Sequence, residues 1–377
     1  MGHHLSVFYF FYFSVLGVLI PFFPVYLKYV GYEPAQIGLL MSIFPATKIL
    51  SPPFWGWLAD RHFAPLRLVR LGSTISMLSF VLMPVIPLSG LPFLLMLFGF
   101  SWSAVLPLFE SVAMGLLGVG SNRYAATRLW GSVGFVVSSL LAAVWMEALM
   151  PIGSLPVLMA LLLAGQFIAS WFVPSHPSST RKGIEEGGGV SISRFWILIL
   201  SAFLLQVSHG AYYSFFSLFL EEHGYGQYEV GAIWSLGVLA EVVLFFGLRF
   251  CPFEVRAEVL LLLGLAVTCL RWLALSVEIY HPIWIFLVQL MHAGSFGLPH
   301  IAAIKIIGET FGGQQNARGQ GAYAGIGFGF GGLVGSLMAG YLWERIPGDQ
   351  VFLLSALVAW LAFQVQVIGS RLCRVSG

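Results

Sequence analysis

Ionisable side chains occur inside long apolar stretches of this 377-residue chain. Glu110 lies in LPLFESVAM, and Arg128 follows 18 residues later in AATRLWGSVGF. An ionisable group inside a bilayer costs roughly 2.5 kcal/mol or more, so each is a candidate for function. An arginine neutralises a carboxylate, and its planar fork also suits the carboxylate or hydroxyl oxygens of a ligand. The two residues therefore predict an ion pair that is either purely structural or part of a substrate site.

Other apolar stretches carry a second set of such residues. They are Lys48, His209, Glu241, Arg271, His292 and His300. Lys305 is set apart because it is expected near a helix end, where its amine can reach the membrane surface. Together with Glu110 and Arg128, this set has three cations (Lys48, Arg128 and Arg271) and two anions (Glu110 and Glu241), so a cavity lined by it favours an anionic substrate. Nearby aromatic residues suit a small organic acid with an aromatic or apolar body.

The histidines and Glu241 also predict the coupled ion. Imidazole titrates near pH 6.5, so His209, His292 or His300 can carry a proton, alone or with Glu241. Each histidine can equally serve as a hydrogen-bonding contact between helices. The proton is therefore the expected second partner of the protein, beside a small molecule.

Composition places the chain in a membrane. Hydrophobic residues make up 58% and charged residues 9% of the chain, whereas charged residues are about a quarter of a soluble domain. A net charge of +2 gives no reason to expect nucleic acid. Cys251, Cys269 and Cys373 show no metal-binding spacing, so neither a metal nor a cofactor is expected.

Twelve apolar runs are long enough to cross a bilayer, which takes about 20 residues. They cover residues 5–28, 35–57, 66–88, 92–117, 127–147, 155–173, 195–220, 229–248, 257–276, 282–306, 319–343 and 350–369. The stretch 174–194 is long, polar and rich in Gly and Ser, as is typical of a linker. The sequence thus predicts an all-α membrane protein with six-helix bundles at 1–173 and 195–377. Twelve Lys and Arg residues at the ends of spans fall on one side and two on the other, which predicts that both termini are cytoplasmic.

The second half repeats the first at an offset of 193 residues. FFPVYLKYVGYEPAQIGLLMS from Phe22 aligns with FFSLFLEEHGYGQYEVGAIWS from Phe215, and Gly31 aligns with Gly224. An even number of spans in each half keeps the repeats parallel, related by an axis along the membrane normal. The same offset pairs Lys48 with Glu241, so we expect these two charges to meet across a central cavity. They form either a static pair that joins the halves or a pair that separates during transport, and the second is favoured because a permanent pair would hinder the movement of the halves.

The segment GWLADR between spans two and three resembles the signature loop of the major facilitator superfamily. In it, Gly56 is expected to let helices approach closely, while Asp60 and Arg61 latch the helix ends on the cytoplasmic side. The resemblance implies the twelve-helix major facilitator fold, a monomer, and alternating access across a bacterial inner membrane.

Within that superfamily, the chain resembles the lactose permease and phenylpropionate permease group. FESVAM with TRLWGSVGF resembles the sugar-binding pair of lactose permease, and Arg271 and His292 match positions in its proton-coupling network. The chain departs from lactose permease at Phe135, where that protein has the tryptophan that stacks on galactose. It departs again at Ser295, where that protein has its proton-carrying glutamate. QVSHGAYYSFFSLFLEE and MHAGSFGLPHIAAIK are more similar to the phenylpropionate permease branch.

Together these features predict a transporter, not an enzyme. It is expected to take up an aromatic carboxylate such as 3-phenylpropionate by symport with protons. Lys48, Glu110, Arg128, Phe135 and Arg271 are the expected substrate residues. Symport of a neutral sugar or nucleoside, or efflux by the same fold, are the alternatives. The sequence has no HExxH, GxSxG or CxxC pattern that would indicate a membrane enzyme.

Overall fold

A computed structural model describes residues 2–118, 122–174, 192–248, 250, 255–277, 281–311 and 313–375. Within these residues it contains twelve helices that are long and apolar enough to cross a membrane, so the predicted number of spans is confirmed. They are α1 (Gly2–Tyr29), α2 (Pro34–Arg61), α3 (Pro65–Val85), α4 (Leu88–Leu117), α5 (Arg123–Leu149), α6 (Ile152–Trp171), α7 (Ile192–Glu222), α8 (Gln227–Leu248), α9 (Ala257–Leu275), α10 (Pro282–Thr310), α11 (Arg318–Trp343) and α12 (Gly348–Leu372).

Most of these helices extend beyond the predicted apolar runs at one end or both, and two of the extensions have a clear cause. Helix α7 begins at Ile192 rather than 195, and α10 continues to Thr310 rather than ending near 306. Arg194 in α7 pairs with Glu258 (2.6 Å) and with Glu309 of α10 (2.8 Å). The charges that suggested helix ends are thus satisfied by one another, so the helical backbone continues through them. The rest of the predicted linker lies outside the described residues, apart from Pro174.

Contacts group the chain into two compact units. The first comprises Met1–Thr180 with Phe216–Ser235, and the second comprises Arg181–Phe215 with Leu236–Gly377. The segment Phe216–Ser235 joins the first unit through contacts such as the Ser139 hydroxyl donating to the Gly231 carbonyl (3.2 Å). The division at 1–173 and 195–377 follows the sequence repeat and stays a prediction, as does the axis between the repeats.

The same helix pairs pack within each unit. In the first, α1 packs on α5 and α6, and α3 packs on α4 and α6; in the second, α7 packs on α11 and α12, and α9 packs on α10 and α12. The second set is the first with six added to each helix number. The internal repeat read from the sequence is therefore repeated in the packing.

The turns after α1 and α7 repeat at atomic detail. Gly31 and Gly224 both have positive φ (96° and 85°), a conformation that glycine adopts without a steric penalty. Each glycine N–H bonds three residues back, to the carbonyls of Lys28 and Glu221 respectively. The following helix is capped by Gln36 accepting from the Glu33 N–H (3.0 Å) and by Glu229 accepting from the Gly226 N–H (2.7 Å). Both turns need a glycine at positive φ, which explains why Gly31 and Gly224 align in the sequence repeat.

Wide helical turns interrupt three of the spans. Residues Trp145–Leu149 of α5, Ala293–Gly297 of α10 and Tyr323–Phe330 of α11 are π-helical. In α10 the wide turn precedes Pro299, which has no N–H to donate. In α11 it includes Gly325, Gly327 and Gly329. Such turns are frequent at functional sites, and two of these three flank the polar cluster of the second unit described below.

Close crossing of α1 and α5 gives a stability test. A Cβ at Gly134 would overlap the carbonyl of Phe10, whereas a Cβ at Gly56 would meet no atom within 4 Å. We expect Gly134→Ala to destabilise the protein by about 1–3 kcal/mol through overpacking. Gly56→Ala is the control, because both changes carry the same gain in helix propensity. Thermal unfolding in detergent measures both, and equal melting temperatures would contradict this account of the crossing.

Candidate functional site

Arg271 is the centre of a polar cluster in the second unit. Its side chain lies in α9 and is fully buried. The guanidinium donates from Nε to the Val288 carbonyl (3.2 Å) and from Nη2 to Oε1 of Gln289 (2.6 Å). Nη1 lies 3.1 Å from both Nδ1 of His292 and Oγ of Ser295. None of these four acceptors is a carboxylate, so within the part of the chain that the structure describes the buried cation is hydrogen-bonded to neutral groups.

Aromatic faces supply the remaining stabilisation of this cation. The Arg271 guanidinium carbon lies 4.2 Å from the ring centre of Tyr212 and 4.8 Å from that of Trp272. A desolvated cation–π contact is worth about 2 kcal/mol. We call the four hydrogen-bond acceptors and these two rings the Arg271 cage. The cage holds Arg271 in place without neutralising its charge, so the site remains suited to an anion.

The contact with Arg271 fixes the protonation state of His292. Arginine offers only N–H donors, so Nδ1 of His292 must be the acceptor. The ring is therefore neutral, with its hydrogen on Nε2. A second proton on His292 would turn Nδ1 into a donor and break the contact with Arg271.

His209 lies next to this cluster. It occupies a single turn residue between the two helical segments of α7 that end at Ser208 and begin at Gly210. Its Nδ1 lies 2.8 Å from the Leu205 carbonyl, which makes Nδ1 the donor. The ring is fully buried and packs edge-on against Trp272 (4.9 Å between centroids). The structure thus places His209 beside the Arg271 cage.

His292, Phe296 and His300 form a column of parallel rings along α10, which we call the α10 ring column. The centroid of Phe296 lies 5.6 Å from that of His292 and 6.1 Å from that of His300, with interplanar angles of 13° and 8°. Phe328 of α11 meets Phe296 and His300 edge-on (6.2 and 6.4 Å). Because Phe296 and His300 are only partly buried, the column leads away from the buried Arg271 cage.

Glu241 belongs to the helix face that packs on this cluster. A Cβ at Gly237 in α8 would lie 3.3 Å from Cδ2 of His292 and 3.4 Å from Nε2 of Gln289. Glu241 follows Gly237 by four residues and so lies on the same face of α8, one turn along. Glu241 is partly buried, one turn from the position that adjoins two members of the Arg271 cluster.

The first unit holds the predicted pair of Glu110 and Arg128. The structure brings them together, with Nη1 of Arg128 3.3 Å from Oε1 of Glu110. Arg128 is half exposed and Glu110 largely buried, and Tyr9 and Tyr124 lie close to both. The exposed arginine leaves donors that a ligand can use.

The other predicted residues of the first unit are less involved. Phe135 is buried, and its backbone packs closely against Gly17 of α1. Lys48 is exposed within α2; its expected pairing with Glu241 stays a prediction. Asp60 and Arg61 are exposed at the end of α2. The reason given for Gly56 is wrong, because a Cβ at this position would meet no atom within 4 Å.

Sequence reasoning missed the neutral members of the cluster, chiefly Gln289, Ser295 and Phe296. An amide, a hydroxyl and a phenyl ring carry no charge, so they do not stand out in an apolar span as an embedded charge does. One signal was available, because Gln289 and Phe296 fall three residues before and four after His292, on one helix face. Within the described residues, no group of three His, Cys, Asp or Glu side chains could hold a metal ion.

The Arg271 cage gives a second stability test. Lysine cannot reproduce the fork of Arg271, so Arg271→Lys leaves buried acceptors without donors. We expect a loss of about 2–4 kcal/mol in unfolding free energy. Arg345→Lys is the control, since Arg345 is half exposed beside Glu344 (3.6 Å) and such pairs contribute little. Similar unfolding temperatures for the two variants would argue against the cage.

Comparison with known proteins identifies the family. The profile of the MFS_1 like family matches residues 3–354. The chain is 30% identical over 368 residues to the "Probable 3-phenylpropionic acid transporter" of Escherichia coli (strain K12), and the match covers 94% of each chain. It is 26% identical over 387 residues to the maltose permease of Geobacillus stearothermophilus, covering 98% of this chain and 95% of that one.

Solved structures show the same fold. A mutant form of the nucleoside transporter NupG superposes with a TM-score of 0.85 at 16% identity, covering 98% of this chain and 99% of that one. A bacterial homologue of the lysosomal transporter Spinster gives a TM-score of 0.72 at 14% identity, covering 98% and 96%. From the profile match and the 30% identity along almost its whole length, the chain belongs to the MFS_1-like family of the major facilitator superfamily, and is a secondary transporter rather than an enzyme.

Proposed function

We propose that this protein is a proton-coupled symporter of a small aromatic carboxylate such as 3-phenylpropionate. One observation carries the proposal: the guanidinium of Arg271 is fully buried, and its four hydrogen-bond acceptors among the described residues are all neutral. A fixed cation of this kind is suited to a carboxylate. The name of the Escherichia coli relative supports the same class of substrate.

The Arg271–His292 contact supplies a mechanism for coupling. When a proton binds His292, Nδ1 no longer accepts from Arg271, and Nη1 is released to a substrate oxygen. A carboxylate then faces two cations instead of one. Proton and anion therefore bind together, as symport requires.

Other ionisable groups act around this exchange. His209, Tyr212 and Glu241 lie around the Arg271–His292 pair, and His300 lies further along the α10 ring column. Glu241 passes the proton to or from these histidines. In the first unit, Glu110 holds Arg128 ready for the substrate, with Lys48 adding positive charge.

The orientation follows from the distribution of positive charge. With both termini in the cytoplasm, the side that carries most Lys and Arg faces inward. The protein then lies in the bacterial inner membrane as a monomer. Gly56, Asp60 and Arg61 lie at its cytoplasmic face, where the two charges take part in gating.

A second function is symport of a neutral sugar or nucleoside. It is favoured by the Glu110–Arg128 pair (3.3 Å), whose acceptor and donors together suit hydroxyl groups. Maltose permease is among the relatives, and NupG shares the fold. This function needs neither Arg271 nor Lys48 as an anion site.

Transport in liposomes distinguishes the two functions. Purified full-length protein is given an inward proton gradient, with radiolabelled 3-phenylpropionate, maltose and uridine tested side by side. We expect 3-phenylpropionate alone to accumulate, and a protonophore to abolish the accumulation. Lowering the outside pH is expected to speed uptake, because the proton is a co-substrate.

Either contrary result is informative. Accumulation of maltose or uridine alone would overturn the carboxylate proposal and favour the Glu110–Arg128 site. Accumulation of 3-phenylpropionate that survives the protonophore would overturn proton coupling but leave the substrate class intact.

His292→Asn tests the coupling step. The Asn oxygen can still accept from Arg271, but the side chain cannot take up a proton in the physiological range. We expect both proton-driven accumulation and the exchange of labelled for unlabelled 3-phenylpropionate to be lost, because the Asn oxygen keeps Nη1 of Arg271 occupied. His281→Asn, at the exposed start of α10, is the matched control and keeps both activities.

Unchanged accumulation by His292→Asn would exclude His292 as the proton carrier. Glu241→Gln then serves as the parallel test, with loss of proton-driven uptake and retained binding as its expected result.

A further inference from the structure

The α10 ring column has a property that helical geometry alone does not provide. In a regular α-helix, side chains eight residues apart differ in direction by roughly 80°, because each residue turns about 100°. Neighbouring rings in the column are nevertheless close to parallel, with interplanar angles of 13° and 8°. The wide turn at Ala293–Gly297 includes Phe296, so the backbone departs here from the regular α-helix that would turn these side chains apart.

The column lies on the inner face of its helix. Its first ring accepts from the buried Arg271, and Tyr212 of α7 lies 5.8 Å from the same ring. At the other end, Tyr323 and Phe328 of α11 lie 6.4 Å from His300. Imidazoles facing lipid would carry a heavy penalty, which is a second reason to assign this face to the interior.

The spacing between the cation and the phenyl rings limits the ligand. The His292 ring has its Nδ1 atom 3.1 Å from Arg271 and its centroid 5.6 Å from that of Phe296. A carboxylate that takes the Nη1 bond released by the protonated His292 lies level with the His292 ring, so Phe296 is about one ring-width further along the column. In extended 3-phenylpropionate, the carboxyl carbon lies about 5 Å from the ring centre, given C–C bonds near 1.5 Å.

We propose that Phe296 and Phe328 form the aryl-binding subsite of this transporter and select carboxylates with a two-carbon spacer between carboxyl group and ring. This inference rests on the proposed function, since it places the carboxylate on Arg271. The aryl ring takes the position beside Phe296, with Phe328 presenting its edge. Benzoate, whose ring is attached directly to the carboxyl group, leaves its ring at the level of His292 and misses both phenyl groups.

Binding of a graded ligand series to the purified full-length protein tests the subsite. The probes are benzoate, phenylacetate, 3-phenylpropionate and 4-phenylbutyrate, with 3-cyclohexylpropionate as the non-aromatic analogue, and tryptophan fluorescence reports the Kd. We expect 3-phenylpropionate to bind most tightly and benzoate about tenfold more weakly, from the lost apolar contact. Phe296→Leu is expected to weaken 3-phenylpropionate about three- to tenfold while changing 3-cyclohexylpropionate less, because an aromatic pair adds to simple burial.

Phe330→Leu is the matched control, because Phe330 is also in α11 but stacks on Phe203 (5.5 Å); its affinities should stay at the wild-type values. Transport by each variant, driven by the proton gradient, provides a second readout.

The possible outcomes distinguish failure of the aryl-binding subsite from failure of the proposed transport function. Equal affinity for all four aryl acids, or equal loss in Phe296→Leu and Phe330→Leu, would overturn the subsite while wild-type uptake of carboxylates upholds the proposed function. A wild-type protein that neither binds nor moves any of these acids would overturn both. A misfolded Phe296→Leu is recognised by its unfolding temperature, and Phe328→Leu then replaces it with the same expected result.

Discussion

The cost of holding a permanent cation in the bilayer interior constrains the second unit. Arg271 cannot lose its proton, and it is fully buried, so the protein must surround it with acceptors and π faces. This requirement accounts for Gln289, Ser295 and Tyr212 and for the tautomer of His292. It also determines which helices must stay together, because α7, α9 and α10 each contribute to the cage. A carboxylate in the same place would have neutralised the charge and left nothing for a substrate to bind.

The fold was largely predictable from the sequence because the bilayer allows few solutions. An apolar run of sufficient length must be a helix with its own backbone hydrogen bonds, so the twelve spans follow from composition and length. Their ends are less predictable, as Arg194 shows. This arginine signals a helix end, yet two glutamates distant in sequence allow α7 to include it. The repeat was predictable where the backbone requires one residue type, as at Gly31 and Gly224. Elsewhere the sequence similarity between the two halves is weaker.

The site was predictable in its charges but not in its contacts. The pairing of Glu110 with Arg128 follows from two neighbouring spans and opposite charges. The bond between Arg271 and His292 does not, since it depends on a wide turn in α10 and on which imidazole nitrogen faces α9. Phe296 could be recognised only after the rings were placed in space, because a phenylalanine in an apolar span is ordinary. For Gly56, by contrast, the motif drew attention to a residue whose surroundings are open.

The wide turn in α10 has a further consequence. A π-helical turn contains one residue more than its α-helical counterpart, so it acts as a reserve of chain length within a helix whose ends are fixed. If that extra residue moves along the helix, the side chains it passes rotate by about a quarter-turn or slightly more. The next helix in the chain, α11, carries a turn of the same kind. The polar and aromatic groups that these two turns carry can therefore be re-aimed by local rewinding of the helix.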